Sequence, residues 1–129
     1  MKNIYLNIYR ASLNNLKKAK INIENNNVIG LPTETVYGLA ANAYSDKSVK
    51  KIYNLKKRPF LNPLIIHFYN LKLLKKDAIF NKSFTKLYKK LCPGPITFIL
   101  NRNPKSQISK KAMGGKKTIA VRFPKHPVA

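Results

Sequence analysis

The feature that most constrains this chain is the alternation of short apolar, β-rich runs with segments whose apolar residues recur at helical spacing. "NIYLNIY" (3–9) alternates and reads as a first strand. From residue 11 to 23, Leu13, Leu16, Ala19 and Ile23 recur as on one helix face, and Asn25-Asn26-Asn27 ends the helix. "VIGLP" reads as a buried strand stopped by Pro32. Asp46 or Ser48 can cap a helix through "SVKKIYNLKK", with Val49, Ile52 and Tyr53 on one face. "PLIIHF" (63–68) is a strand. "SFTKLYKKL" (83–91) sets Phe84, Leu87, Tyr88 and Leu91 at i, i+3, i+4 and i+7 of a core-facing helix. "ITFIL" and "TIAVRF" are strands separated by the basic loop "SKKAMGGKK". The order β-α-β-α-β-α-β-β predicts α/β layers.

At 129 residues this is one domain or part of one, and 44% hydrophobic residues suffice for a core. No apolar run approaches the roughly 20 residues that span a bilayer. The N-terminus has no signal-peptide pattern. One cysteine, Cys92, suits a reducing cytoplasm. The chain stops at "HPVA", directly after a strand, so one sheet face is expected to be partly uncovered.

The charge is extreme, with 26 Lys+Arg against 4 Asp+Glu, net +22. Such a field attracts polyanions such as RNA (tRNA or double-stranded RNA), DNA, nucleotides and anionic lipid. The surplus is mostly lysine, accompanied by many Asn and Ile, and it is spread over every segment. A/T-rich codons account for it more readily than dedicated nucleic-acid binding does.

Several chemistries drop out. The acids Glu24, Glu34, Asp46 and Asp77 form no paired motif, and two histidines with one cysteine give no zinc signature. "GGKKT" is not a phosphate loop. Lys110 stands where that pattern needs glycine, and a strand follows where it needs a helix.

Three stretches remain. In "GLPTETVYGLAANA", Thr33, Glu34 and Thr35 follow a strand end, where α/β sheets bind ligands, but on this segment alone a turn with self-satisfied threonines is the better reading. In "LKKRPFLNPLIIHF", Lys56 and Arg58 offer a mobile and a forked cation suited to a triphosphate, or a solvated helix end. Asn62 offers an amide, and His67 faces either core or pocket. In "TIAVRF", Arg122 interrupts an apolar strand, so it needs a carboxylate or phosphate partner.

Together, "GLPTETVYGLAANA", "IYNLKKRPFLNPLIIHF", "PGPITFIL" and "TIAVRFPKHPVA" resemble, in order and spacing, the motifs of the YrdC-like threonylcarbamoyl-AMP synthases from about residue 10 onward. The resemblance implies a twisted mixed β-sheet flanked by helices, of YrdC/RibB type, in one domain (1–129) that lacks its C-terminal part. Family members continue into a helix, a strand and a Ser-x-Asn motif that these residues do not contain. It implies that L-threonine, bicarbonate and ATP, with Mg2+, give threonylcarbamoyl-adenylate and pyrophosphate in the cytoplasm. The product passes to a threonylcarbamoyl transferase that modifies adenosine 37 of tRNA. By motif match, Thr35, His67 and Arg122 would bind threonine. Lys56, Arg58, Asn62 and Thr118 would bind ATP, with Thr33 beside them and no catalytic or metal-ligating residue assigned. A non-catalytic, basic RNA-binding fragment of the same fold is the alternative.

Overall fold

The computed structural model describes residues 7–129. The first expected strand falls largely outside these residues, and 7–9 carry no strand. The first helix, α1 (Leu13–Glu24), begins at Ser12, whose hydroxyl accepts from the backbone N–H of Asn15. Leu16, Ala19 and Ile23 are half-buried, but Leu13 is exposed and no residue of α1 is fully buried.

β1 (Ile29–Pro32) does not join the main sheet. It pairs antiparallel with β2 (Tyr37–Ala40), so Thr33–Val36 form the turn of a separate hairpin. β2 was not expected, because "YGLA" is short and carries a glycine. Thr33 holds the turn: its hydroxyl donates to the Val36 carbonyl at 2.7 Å and accepts from the N–H of Val36 at 3.2 Å.

The cap of α2 (Asp46–Lys56) is Ser45, not the expected Asp46 or Ser48: its hydroxyl accepts from the Ser48 N–H, so the cap lies ahead of both. Val49, Ile52 and Tyr53 are buried as the periodicity requires. The helix ends without glycine: Lys57 takes the left-handed conformation (φ 47°), and Arg58 N–H reaches back to the Tyr53 carbonyl at 3.0 Å. This six-to-one closure turns the chain sharply and starts the loop with Arg58.

The main sheet has the order β3-β6-β5-β4, comprising β3 (Ile65–His67), β4 (Ala78–Ile79), β5 (Thr97–Arg102) and β6 (Thr118–Arg122). β3 lies parallel to β6, and the other neighbours are antiparallel, which makes a mixed sheet. The short α3 (Leu71–Leu74) and β4 carry too few residues to show a period. A single 3-10 turn, Lys110–Met113, interrupts the expected basic loop.

Strand alternation divides the sheet into two faces. Ile66, Phe98, Ile119 and Val121 point into the core, where Val49 and Tyr53 of α2 and Phe84 of α4 (Lys82–Leu91) meet them. Phe84 stacks edge-on against Phe98 at 5.0 Å, and Tyr88 against Phe123 at 4.7 Å. Leu87 and Leu91, expected in the core, are exposed, because the buried side of α4 is the narrower Phe84–Tyr88 stripe. On the opposite face Ile65, Ile79 and Ile99 are 44%, 54% and 64% exposed, as the partly uncovered face predicts.

Candidate active site

The parallel pairing of β3 with β6 sets His67 beside Arg122 at the C-terminal ends of both strands. Both belong to the open face. The hairpin turn closes over this end: Arg122 Nη1 donates to Thr35 Oγ1 at 3.4 Å, and Thr35 Oγ1 lies 3.1 Å from Thr33 Oγ1. The same guanidinium donates from Nε and Nη2 to Thr97 Oγ1, at 3.1 and 2.9 Å. Thr97 is the register partner of Arg122 and was missed in sequence. Its only signal was a hydroxyl at the start of an apolar strand.

Among the described residues, every hydrogen-bond partner of the Arg122 side chain is therefore a neutral hydroxyl. Hydroxyls orient a guanidinium but leave its charge uncompensated, so an anionic ligand remains its strongest available partner. Crowding around the ring and the neighbouring Arg122 cation push His67 below its ordinary pKa, while Glu34 acts in the opposite direction. His67 keeps an exposed edge and faces the cavity rather than the core.

That cavity encloses about 660 Å3, and Thr33, Thr35, Lys56, Arg58, His67 and Arg122 all contribute to its wall. The volume falls within the range typical of small-molecule sites. Arg58 is held over the loop by Nε to the Asn62 carbonyl (3.3 Å) and Nη2 to the Pro63 carbonyl (3.1 Å). Tyr53 fixes the same loop from below, donating to the Asn62 carbonyl at 2.9 Å. Gly114, at φ 59°, allows the loop to pack closely: a β-carbon there would stand 2.5 Å from the Leu61 carbonyl oxygen.

Asn62 and Thr118 are not in the cavity wall. Asn62 is exposed and engages neighbours through its backbone. Thr118 opens β6, four residues and about 13 Å along the strand from Arg122. Since Ile65 pairs with Ala120, both residues lie at the N-terminal ends of the β3–β6 pair. The expected threonine residues thus gather at one end of the pair, and the expected ATP residues lie along the loop toward the other.

The family model Sua5_yciO_yrdC, described as "Telomere recombination", matches residues 22–129. The threonylcarbamoyl-AMP synthase of Pyrococcus abyssi is 42% identical over 111 residues, covering 83% of this chain and 31% of that protein. The threonylcarbamoyl-AMP synthase of Bacillus subtilis is 41% identical over 108 residues, covering 83% and 31%. The crystal structure of P. abyssi Sua5 complexed with L-threonine superposes with a TM-score of 0.87 at 36% identity, covering 93% of this chain and 35% of that one. The chain therefore spans about a third of the length of these relatives. The match over most of the chain, with the shared mixed-sheet fold, places it in the Sua5/YciO/YrdC family.

Proposed function

We propose that this chain carries the threonine and nucleotide sites of an L-threonylcarbamoyladenylate synthase, acting on L-threonine, bicarbonate and ATP. The observation that supports this best is the Arg122 guanidinium, partnered among the described residues only by hydroxyls, in one cavity wall with Lys56 and Arg58. A small hydroxylated amino acid suits the first group of residues, and a triphosphate suits the second. The P. abyssi relative solved with L-threonine lends support from outside the chain.

In this reading Arg122 pairs with the threonine carboxylate, and Thr35 with its polar groups. The threonine ammonium gives up a proton, and its nitrogen then bonds to the carbon of bicarbonate with loss of water, giving a carbamate. A carbamate oxygen then bonds to the α-phosphorus of ATP as the bond to pyrophosphate breaks. His67, held toward its neutral form, presents a lone pair able to accept a hydrogen bond or a proton at this end of the cavity. Lys56 and Arg58 neutralise the phosphates, with Asn62 and Thr118 flanking the nucleotide. The chain contributes position and charge rather than a covalent nucleophile.

Mg2+ binds through one or two carboxylates together with substrate phosphates. Among the described residues no three metal-ligating side chains gather. Lys56 and Arg58 offer no ligand atoms to a cation, so the ion would be carried on the ATP phosphates and would share with these two side chains the neutralisation of phosphate charge. The adenylate would pass to a threonylcarbamoyl transferase acting on tRNA in the cytoplasm.

Pyrophosphate release from ATP tests the proposal. Release should require both L-threonine and bicarbonate. Release that ignores threonine, or failure to bind either L-threonine or ATP, would overturn it.

A further inference from the structure

Of the chain's four acids, three have partners. Asp77 accepts from Tyr44 and Ser106 at 2.5 and 2.6 Å. Asp46 accepts from Ser109 at 2.5 Å and pairs with Lys111 at 3.2 Å. Glu24 lies 3.6 Å from Lys20. Glu34 differs: both carboxylate oxygens are buried and neither accepts a hydrogen bond, and no cation stands within ion-pair distance among the described residues. A buried anion without a partner is costly. In a chain with 26 Lys+Arg, the lack of a partner is not a shortage of cations.

Its place in the fold gives that cost a use. Glu34 stands between Thr33 and Thr35, both in the cavity wall, and Thr35 touches Arg122. Glu34 is not itself part of the wall, but both its chain neighbours are, and its charge acts on His67. This end of the molecule therefore brings together a guanidinium bonded only to hydroxyls and a carboxylate bonded to nothing, both among the described residues. An α-amino acid carries the complementary pair, a carboxylate and an ammonium on one carbon. Its two oxygens are shielded from solvent, so the field of this carboxylate is screened less than in bulk water and can act on a positive group across the wall.

We propose that Glu34 is the amine-selecting residue of this subsite, supplying the negative potential that holds the substrate's α-ammonium while Arg122 holds its carboxylate. The proposal rests on the amino-acid reading of the cavity given above. Glu34 is a specificity residue here, acting on binding rather than on the reacting phosphate.

The test compares L-threonine with 3-hydroxybutanoate, which keeps the carboxylate and hydroxyl but lacks the amine. Calorimetry on the wild-type chain, E34Q, E34D and R122A, with melting curves for each, gives the readout. Wild type should prefer L-threonine. E34Q keeps the shape and removes the charge, so it should lose about tenfold or more for L-threonine and bind 3-hydroxybutanoate about as before. It should melt no lower than wild type, because an unpaired buried charge has gone. E34D, which keeps the charge, should retain the preference for the amine even if E34Q does not fold. Unchanged threonine affinity in E34Q overturns the proposal. So does a parallel loss of both ligands with a lowered melting temperature, or a loss confined to ATP in the presence of Mg2+, which would assign the carboxylate to the metal. If wild type binds threonine and R122A does not, these failures concern Glu34 alone. If wild type binds neither ligand, the amino-acid reading fails with it.

Discussion

Arg122 and Thr35, 87 positions apart in sequence, meet at 3.4 Å where the hairpin turn closes over the end of β6. Because they share one point of the cavity, their effects on a ligand held there should be coupled. Thr35→Val keeps the side-chain volume and removes the hydroxyl, so its cost reports hydrogen bonding, about 0.5–1.5 kcal/mol of threonine affinity. Combined with Arg122→Ala, the loss should fall short of the sum of the single losses by about 0.5 kcal/mol or more. Calorimetric titration of L-threonine into the four proteins of the cycle checks this; strict additivity would count against a shared ligand.

Arg58 already spends two donors on the carbonyls of Asn62 and Pro63, which aims the rest of its fork. Arg58→Ala should weaken ATP binding by about 1.5–3 kcal/mol and leave threonine binding nearly intact. Arg58→Lys should recover only part, since a point charge cannot hold two carbonyls and a phosphate in one plane. Equal losses for ATP and threonine would show that Arg58 supports the fold rather than the nucleotide.

The folded-state pKa of His67 lies below its ordinary value of 6.5. Between the two values the unfolded chain binds more protons than the folded one, so stability contributed by this group rises with pH through that window and levels off above it. Melting temperatures across about pH 5 to 8 should show this rise. His67→Gln should flatten it. A rise of the same size in the variant would place its origin elsewhere.

Gly114 and Gly115 both have positive φ, but they differ in surroundings. Alanine at 115 meets open space, whereas at 114 its β-carbon would meet the Leu61 carbonyl at 2.5 Å. Gly115→Ala should cost about 1–2 kcal/mol in urea unfolding through backbone strain alone. Gly114→Ala should cost clearly more, and it should also loosen ATP binding, because the displaced loop carries the Arg58 contacts. Equal costs would mean that the loop yields freely.

What was legible in the sequence followed the length of each element. α2 was visible because its buried stripe of Val49, Ile52 and Tyr53 spans more than one turn. Its end was not, since the left-handed Lys57 offers no glycine as a signal. β2, α3 and β4 have four, four and two residues, too few for a period to appear. Leu87 and Leu91 carried core spacing but are 48% and 39% exposed on their side of α4. In the site, family motifs indicated Thr35, His67 and Arg122, yet local pattern could not show that a hairpin outside the main sheet brings Thr35 to Arg122. Thr97 became visible only once strand register set it opposite Arg122. The unpartnered state of Glu34 is likewise a property of packing, not of the Thr-Glu-Thr triplet.

The most direct measurement is a crystal structure of this chain with L-threonine bound. The account predicts the amino acid at the C-terminal ends of β3 and β6, its carboxylate within about 2.7–3.2 Å of the Arg122 guanidinium and its hydroxyl or amine facing the Thr33–Thr35 turn. Threonine bound elsewhere in the cavity, or bound with its carboxylate turned away from Arg122, would contradict it.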